Sequence, residues 1–349
     1  MHSRTAPLRR LGAVAFGILL VLVPTASARP SGSAQSETVR IVMVTFRGCE
    51  EACRGFQDYV ATSELDAQII LRDVDRDRDL LPGIIEEVNE LKPDLLVTWG
   101  TSVTLGMIGT LEDSEGKVTD IPTVFMIVAD PVGADIVESY ERSGRPLITG
   151  TRNRVPEETQ MRVLADYRPF ERIGLIYNSD ELNAVLKVEE IARVAAAHGF
   201  EITERVLEAD ANGNPLVEDI PRAVADIAAR DVDYLYVGSS SFLLANADLF
   251  TSAALEHRLP VATAYEAMVR ESHGLIALAA AYYNVGQLAG YQAEEILARG
   301  KTPGDMEVLG LDRFTVLVNI DTARELELYP PMLLLRYAEI VGGPQAADG

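Results

Sequence analysis

Thr101 and Ser102 stand where the apolar run of DLLVTWGTSV (Asp94 to Val103) stops at Gly100 and restarts with helical spacing. The pattern predicts a buried parallel strand that delivers two hydroxyls to a helix N-terminus. Such a corner offers unpaired backbone N–H groups, the positive end of a helix dipole and the hydroxyls themselves, a set suited to a carboxylate or similar anion. Trp99 ends the strand beside that corner and offers a ring for stacking. Ile121 to Val128 reads as another buried strand, ending at Ala129-Asp130-Pro131-Val132-Gly133. Ligands of open parallel sheets sit outside the carboxyl ends of the strands, so Asp130 shares a rim with Thr101 and Ser102, and a carboxylate there suits an amine. A turn-capping aspartate fits the same position.

Catalysis finds less support in the residue pattern. Gly238-Ser239-Ser240-Ser241-Phe242 resembles a nucleophile turn but lacks the second glycine of a G-x-S-x-G elbow. His198, His257 and His273 form no metal-spaced pair, and His198 beside Gly199 suits a helix C-terminus. No phosphate loop, dinucleotide fingerprint or zinc signature occurs. The residue pattern therefore supports no enzyme activity, cofactor or metal, and an exported enzyme is the weaker alternative. Cys49 and Cys53, the two cysteines, lie four apart on one helical face, a spacing that fits a structural disulfide and two unpaired thiols equally.

These residues are carried by alternating strands and helices. Val39 to Phe46 is the first strand, followed by a helix through Tyr59. Pro82 opens a helix to Leu91, and DLLVTWGTS follows. After Pro146 to Thr151 the pattern starts again, with strands at 172–178, 200–207, 234–237 and 260–265 and helices at 181–198 and 220–229. The run Asp73 to Asp79, acids and arginines interleaved, reads as a solvated face. The fold expected is α/β, in two halves of similar design with parallel strands.

Arg4, Arg9 and Arg10, the apolar run Leu11 to Val23 and Ala26-Ser27-Ala28 read as a secretory signal peptide (1–28) cleaved after Ala28, with a periplasmic destination. Removing it takes away three arginines and no acid, leaving 28 basic and 53 acidic residues, a formal charge of −25. That excess disfavours nucleic acid and anionic membrane as partners, and no insertion into the membrane is expected after cleavage.

The segments DLLVTWGTS, VFMIVADPVGADIV, LITGT, IYNSD, GLIALAAAYYNVGQLAG and FTVLVNIDTARELELYPP, taken in order, resemble the ABC-transporter substrate-binding proteins that include tryptophan and tyrosine binders. They span nearly the whole mature chain. The resemblance implies a type I periplasmic-binding fold, two Rossmann-like lobes with parallel sheets joined by three crossing hinge segments near Thr149, Leu278 and Val318. It divides the chain into an N-terminal lobe of 38–148 plus 278–317 and a C-terminal lobe of 149–277 plus 318–345. It also implies a monomer that captures a small carboxylated ligand, an amino acid or an aromatic acid, by hinge closure and presents it to an ABC permease in the inner membrane. A ligand-sensing subunit for a membrane receptor or kinase would use the same fold.

By the same resemblance, Gly100-Thr101-Ser102 takes the acid group and Asp130 the amine. Tyr177-Asn178, Ser239 to Ser241 and Tyr265-Glu266 end strands that face the cleft. Thr45-Phe46-Arg47-Gly48-Cys49 departs from what the aromatic amino-acid binders lead one to expect, and Arg47 suits bidentate pairing with a carboxylate. Phe46, Tyr177, Tyr265, Tyr282 and Tyr283 join Trp99 as rings available either to a ligand or to packing.

Overall fold

The computed structural model describes residues 38–342; the expected signal peptide and its cleavage point at Ala28, and residues 343–345 of the expected second lobe, lie outside the described residues. Five strands open the chain: β1 (Val39–Thr45), β2 (Ala67–Asp73), β3 (Leu95–Trp99), β4 (Thr123–Val128) and β5 (Ile148–Arg152). Another five follow: β6 (Arg172–Tyr177), β7 (Glu201–Val206), β8 (Tyr234–Val237), β9 (Val261–Thr263) and β10 (Ile276–Ala279). Three short strands end the described chain: β11 (Leu309–Gly310), β12 (Thr315–Asn319) and β13 (Glu339–Val341).

They form two sheets. The first runs β11-β5-β4-β3-β1-β2 and is parallel throughout. The second runs β13-β12-β10-β9-β8-β6-β7, parallel except where β10 meets β12. Central strands covered by helices on both faces have no solvent side, which is why β3 and β4 are buried at every position and read as unbroken apolar runs. The strand order reverses between β1 and β3 in the first sheet and between β6 and β8 in the second. At such a switch point the flanking connections leave toward opposite faces and open a crevice at the carboxyl ends.

The chain passes between the sheets three times, after Arg152, after Ala279 and after Gly310. Thr149 therefore lies inside the first sheet and Leu278 inside the second, each a few residues before its passage, and Val318 lies inside β12 just beyond the third. The helix Tyr282–Leu297 leaves the second sheet to pack on Glu51–Thr62, which flanks the first. Tyr59 donates its hydroxyl to Glu294 at 2.7 Å and Tyr283 donates to Asp58 at 2.8 Å across that helix pair. Among the described residues no helix is long and apolar enough to cross a membrane.

Candidate functional site

The carboxyl ends of β1 and β3 face those of β6, β8 and β9 across a cavity that is partly open to solvent. β3 ends at Trp99, and Gly100 (φ +82°, ψ 161°) makes a turn that side chains with a Cβ rarely adopt. The helix Thr101–Ile108 then begins without a side-chain cap. Its first N–H groups have no partner within the helix, so they and the dipole point positive charge into the cavity that Gly100, Thr101 and Ser102 line. Thr104 fixes the turn, donating its hydroxyl to Gly100 O at 2.7 Å while lying 2.9 Å from the Thr98 hydroxyl.

Arg47 enters from the turn after β1, where Gly48 has φ +85° and a Cys49–Cys53 disulfide, with Cα atoms 5.1 Å apart, pins the start of the next helix. Its side chain is only 6% exposed. Nε donates to Glu50 at 2.7 Å, Nη1 reaches the Ser241 carbonyl of the opposite half at 3.5 Å, and the guanidinium carbon lies 5.0 Å from the centre of the Trp99 ring. Burial disfavours the Arg47 charge, but the hydrogen bond and charge of Glu50 outweigh it and raise its pKa.

The opposite wall is built by hydrogen bonds among residues of the second half. Asn183, in the first turn of the helix Leu182–His198, donates to Ser239 at 2.9 Å. The Ser240 N–H donates to the Tyr265 hydroxyl at 2.6 Å, while the Ser240 hydroxyl donates to Asn178 at 2.9 Å and accepts from the Leu243 N–H. Glu181 accepts from the Ser241 and Phe242 N–H groups at 2.7 and 2.9 Å; burial still pushes its carboxyl above the usual range, against those two bonds. Asn153, just past β5, donates to the Tyr282 hydroxyl at 3.1 Å. Two polar atoms of cavity-lining residues, Trp99 Nε1 and Asn153 Oδ1, are buried with no protein partner.

Of the residues expected from sequence, Arg47, Trp99, Gly100, Thr101, Ser102, Ser239 and Tyr265 line this one cavity, joined by Phe46, Ser241 and Tyr282. Six others stand elsewhere. Asp130 accepts from Arg154 at 2.6 Å, from Tyr140 at 3.2 Å and from the Gly133 N–H, beside the cavity rather than in its lining. Tyr177 turns away and donates to Glu204 at 3.1 Å. Asn178 and Ser240 point into the wall behind Tyr265, and Glu266 accepts from Arg270 at 3.3 Å. Tyr283 faces Asp58 instead of the cavity.

Sequence reasoning missed Asn153, Asn183 and Ile127. The two asparagines were within reach, since each sits one or two residues past the end or start of a recognised element. Ile127 was not. It is a β-branched residue at φ +58°, where β4 slips register against β5 between Phe125 and Val128. This bulge turns Ile127 and Ala129 into the cavity wall.

Comparisons with known proteins agree with this architecture. The chain is 27% identical over 210 residues to a tyrosine-binding protein of Clostridioides difficile (strain R20291), a match covering 60% of this chain and 58% of that protein. Among solved structures it is similar to an ABC domain from Streptococcus pneumonia in complex with L-Trp (TM-score 0.77, 21% identity, 88% of this chain and 100% of that one). It is also similar to a ligand-free, open substrate binding protein with adhesive properties from Clostridium difficile (TM-score 0.67, 21% identity, 88% and 100%). A leucine binding protein from Thermotoga maritima matches more distantly (TM-score 0.56, 10% identity, 83% and 87%). The fold is that of the type I periplasmic binding proteins. The model of the ABC transporter substrate binding protein family matches residues 40–341, and the chain belongs to that family.

Proposed function

We propose that this protein is the exported solute-binding component of an ABC uptake transporter, and that it captures a small carboxylated ligand in the cavity between its halves. The observation that carries the reading is the uncapped N-terminus of Thr101–Ile108 opening into a cavity walled by both halves. The ligand's carboxylate sits on the N–H groups and hydroxyls of Thr101 and Ser102, with Arg47 beside it, and its apolar body lies among Phe46, Trp99, Tyr265 and Tyr282. Contacts from both halves stabilise the closed arrangement, which a permease can distinguish from the empty, open one. The amino-acid ligands in the relatives' names and the better match to the tryptophan-bound domain than to the open one support a closed amino-acid or aromatic-acid binder. Removal of residues 1–28, a periplasmic location, a monomeric state and the absence of catalysis belong to the same proposal.

The test is a thermal-shift screen of the mature protein, refolded from denaturant to strip bound ligand, against amino acids, aromatic acids, sugars and purines. Binding to the native state raises the melting temperature by mass action. A shift with amino acids or aromatic acids and no product in the mixture is expected. Shifts with sugars or purines alone would overturn the carboxylate assignment, and product formation would overturn the binding-protein reading.

A further inference from the structure

Resting on the reading that the cavity takes a carboxylate, we propose that its ligand is an aromatic monocarboxylate without an ammonium group, and that the site selects against the corresponding amino acid. An α-amino acid brings a positive charge within a few bonds of its carboxylate, and a buried ammonium needs a counter-charge. Among the described residues, no aspartate or glutamate lines the cavity.

The carboxylates near it are committed. Asp130 and Glu157 line an adjoining pocket that shares Thr101, Ala129 and Asn183 with the cavity, but Asp130 is held by Arg154, Tyr140 and the Gly133 N–H, and Glu157 by Lys187 and Arg154. Glu181 is held by two backbone N–H groups. Glu50 pairs Arg47; its second oxygen is buried without a partner, but Glu50 lines an adjoining groove that shares Arg47, Tyr265 and Tyr282 with the cavity, and not the cavity itself. Charge in the cavity is all of the opposite kind: the Arg47 guanidinium and the positive end of a helix dipole, both of which repel an ammonium.

What the cavity offers instead is neutral. Trp99 is 3% exposed and its Nε1 has no acceptor, while Asn153 Oδ1 has no donor. An oxygen on the ligand satisfies the first, and a neutral phenol hydroxyl or indole N–H satisfies the second. Leaving a ligand's ammonium unpaired beside Arg47 supplies the repulsive element that specificity requires, without any steric clash.

Calorimetric titration of the stripped wild-type protein with matched pairs decides the matter: 3-(4-hydroxyphenyl)propanoate against L-tyrosine, and indole-3-propanoate against L-tryptophan. The acid lacking the amine is expected to bind at least tenfold more tightly in one pair or both. An amino acid that binds as tightly as its partner, or more tightly, overturns this proposal and leaves carboxylate capture intact. Failure of every member of both pairs to bind overturns both. Asn153→Asp, checked for folding by its circular dichroism, places a carboxylate in the cavity and is expected to narrow the gap by tenfold; an unchanged gap in the folded variant overturns the part assigned to Asn153. Asn183→Asp serves as the second variant, with the same expectation.

Discussion

Arg47 and the Thr101-Ser102 corner approach the cavity from adjacent strands of one sheet, yet they differ in what holds them. Arg47 is already paired with Glu50, which helps hold its guanidinium over Trp99. The hydroxyls of Thr101 and Ser102 are the groups whose partners a ligand would supply. Thr101→Ala with Ser102→Ala is expected to weaken binding by about 1–3 kcal/mol for each hydrogen bond to charge that is lost, read by calorimetry with the ligand found in the screen. Unchanged affinity would remove these hydroxyls from the site. A second prediction concerns Glu157, buried at 3% exposure with Lys187 at 7%. Burial alone would raise the Glu157 pKa, but Lys187 and Arg154 outweigh it and hold it below the usual carboxylate value. Its contribution to stability is therefore fully present above the ordinary carboxylate range and is lost as pH falls through that depressed value. Glu157→Gln leaves the Lys187 ammonium buried beside a neutral amide, at a cost of about 3–5 kcal/mol in urea denaturation at pH 7. The margin of wild type over the variant should shrink as the medium is acidified, and a margin independent of pH would refute the assignment.

Between elements, the helices Glu51–Thr62 and Tyr282–Leu297 pack with almost no space between their backbones. A Cβ on Gly286 would lie 1.9 Å from Ala52 O, and one on Gly55 would lie 2.0 Å from Tyr283 O, so backbone meets backbone at both points. Gly286→Ala must push the helices apart and is expected to destabilise by about 1–3 kcal/mol or more, measured by thermal or urea melts of the variant. Melting unchanged from wild type would mean that the pair tolerates a wider spacing. This contact was not legible in the sequence, where GLIALAAAYYNVGQLAG marked a passage between lobes but not the helix it would land on. The buried strands were legible, because β3 and β4 are apolar from end to end. β2 was not: as an edge strand it mixes half-buried and exposed positions with none fully buried, and AQIILRD carries too little apolar weight to stand out from the charged run after it. The candidate site divides similarly. Residues at strand ends were placed correctly along the chain, but facing depends on twist and neighbouring hydrogen bonds, so Asn178 and Ser240 turned inward and Tyr177 turned outward.

Across the whole molecule, Arg78 reaches from the first half to Asp180 in the second, donating to its carboxylate at 3.1 Å and toward its carbonyl at 3.4 Å. Both side chains are partly exposed, 43% and 22%, so the pair is screened and contributes little by itself. Arg78→Ala is expected to weaken ligand binding no more than about fivefold, and the difference should vanish in high salt. A larger loss, or one that persists at high salt, would show that Arg78 does more than bias the two halves toward each other. The three passages between the sheets carry a separate consequence, for the order in which the chain is made. The first half lacks its packing helix Tyr282–Leu297 and its edge strand β11 until residue 310 has been synthesised, and the second lacks β12 and β13 until residue 341. No single cut yields an intact half, and a growing chain holds only incomplete sheets until nearly all of it has left the ribosome. Neither half can therefore complete its sheet and packing as it emerges, whereas contiguous domains can each fold as they leave the ribosome.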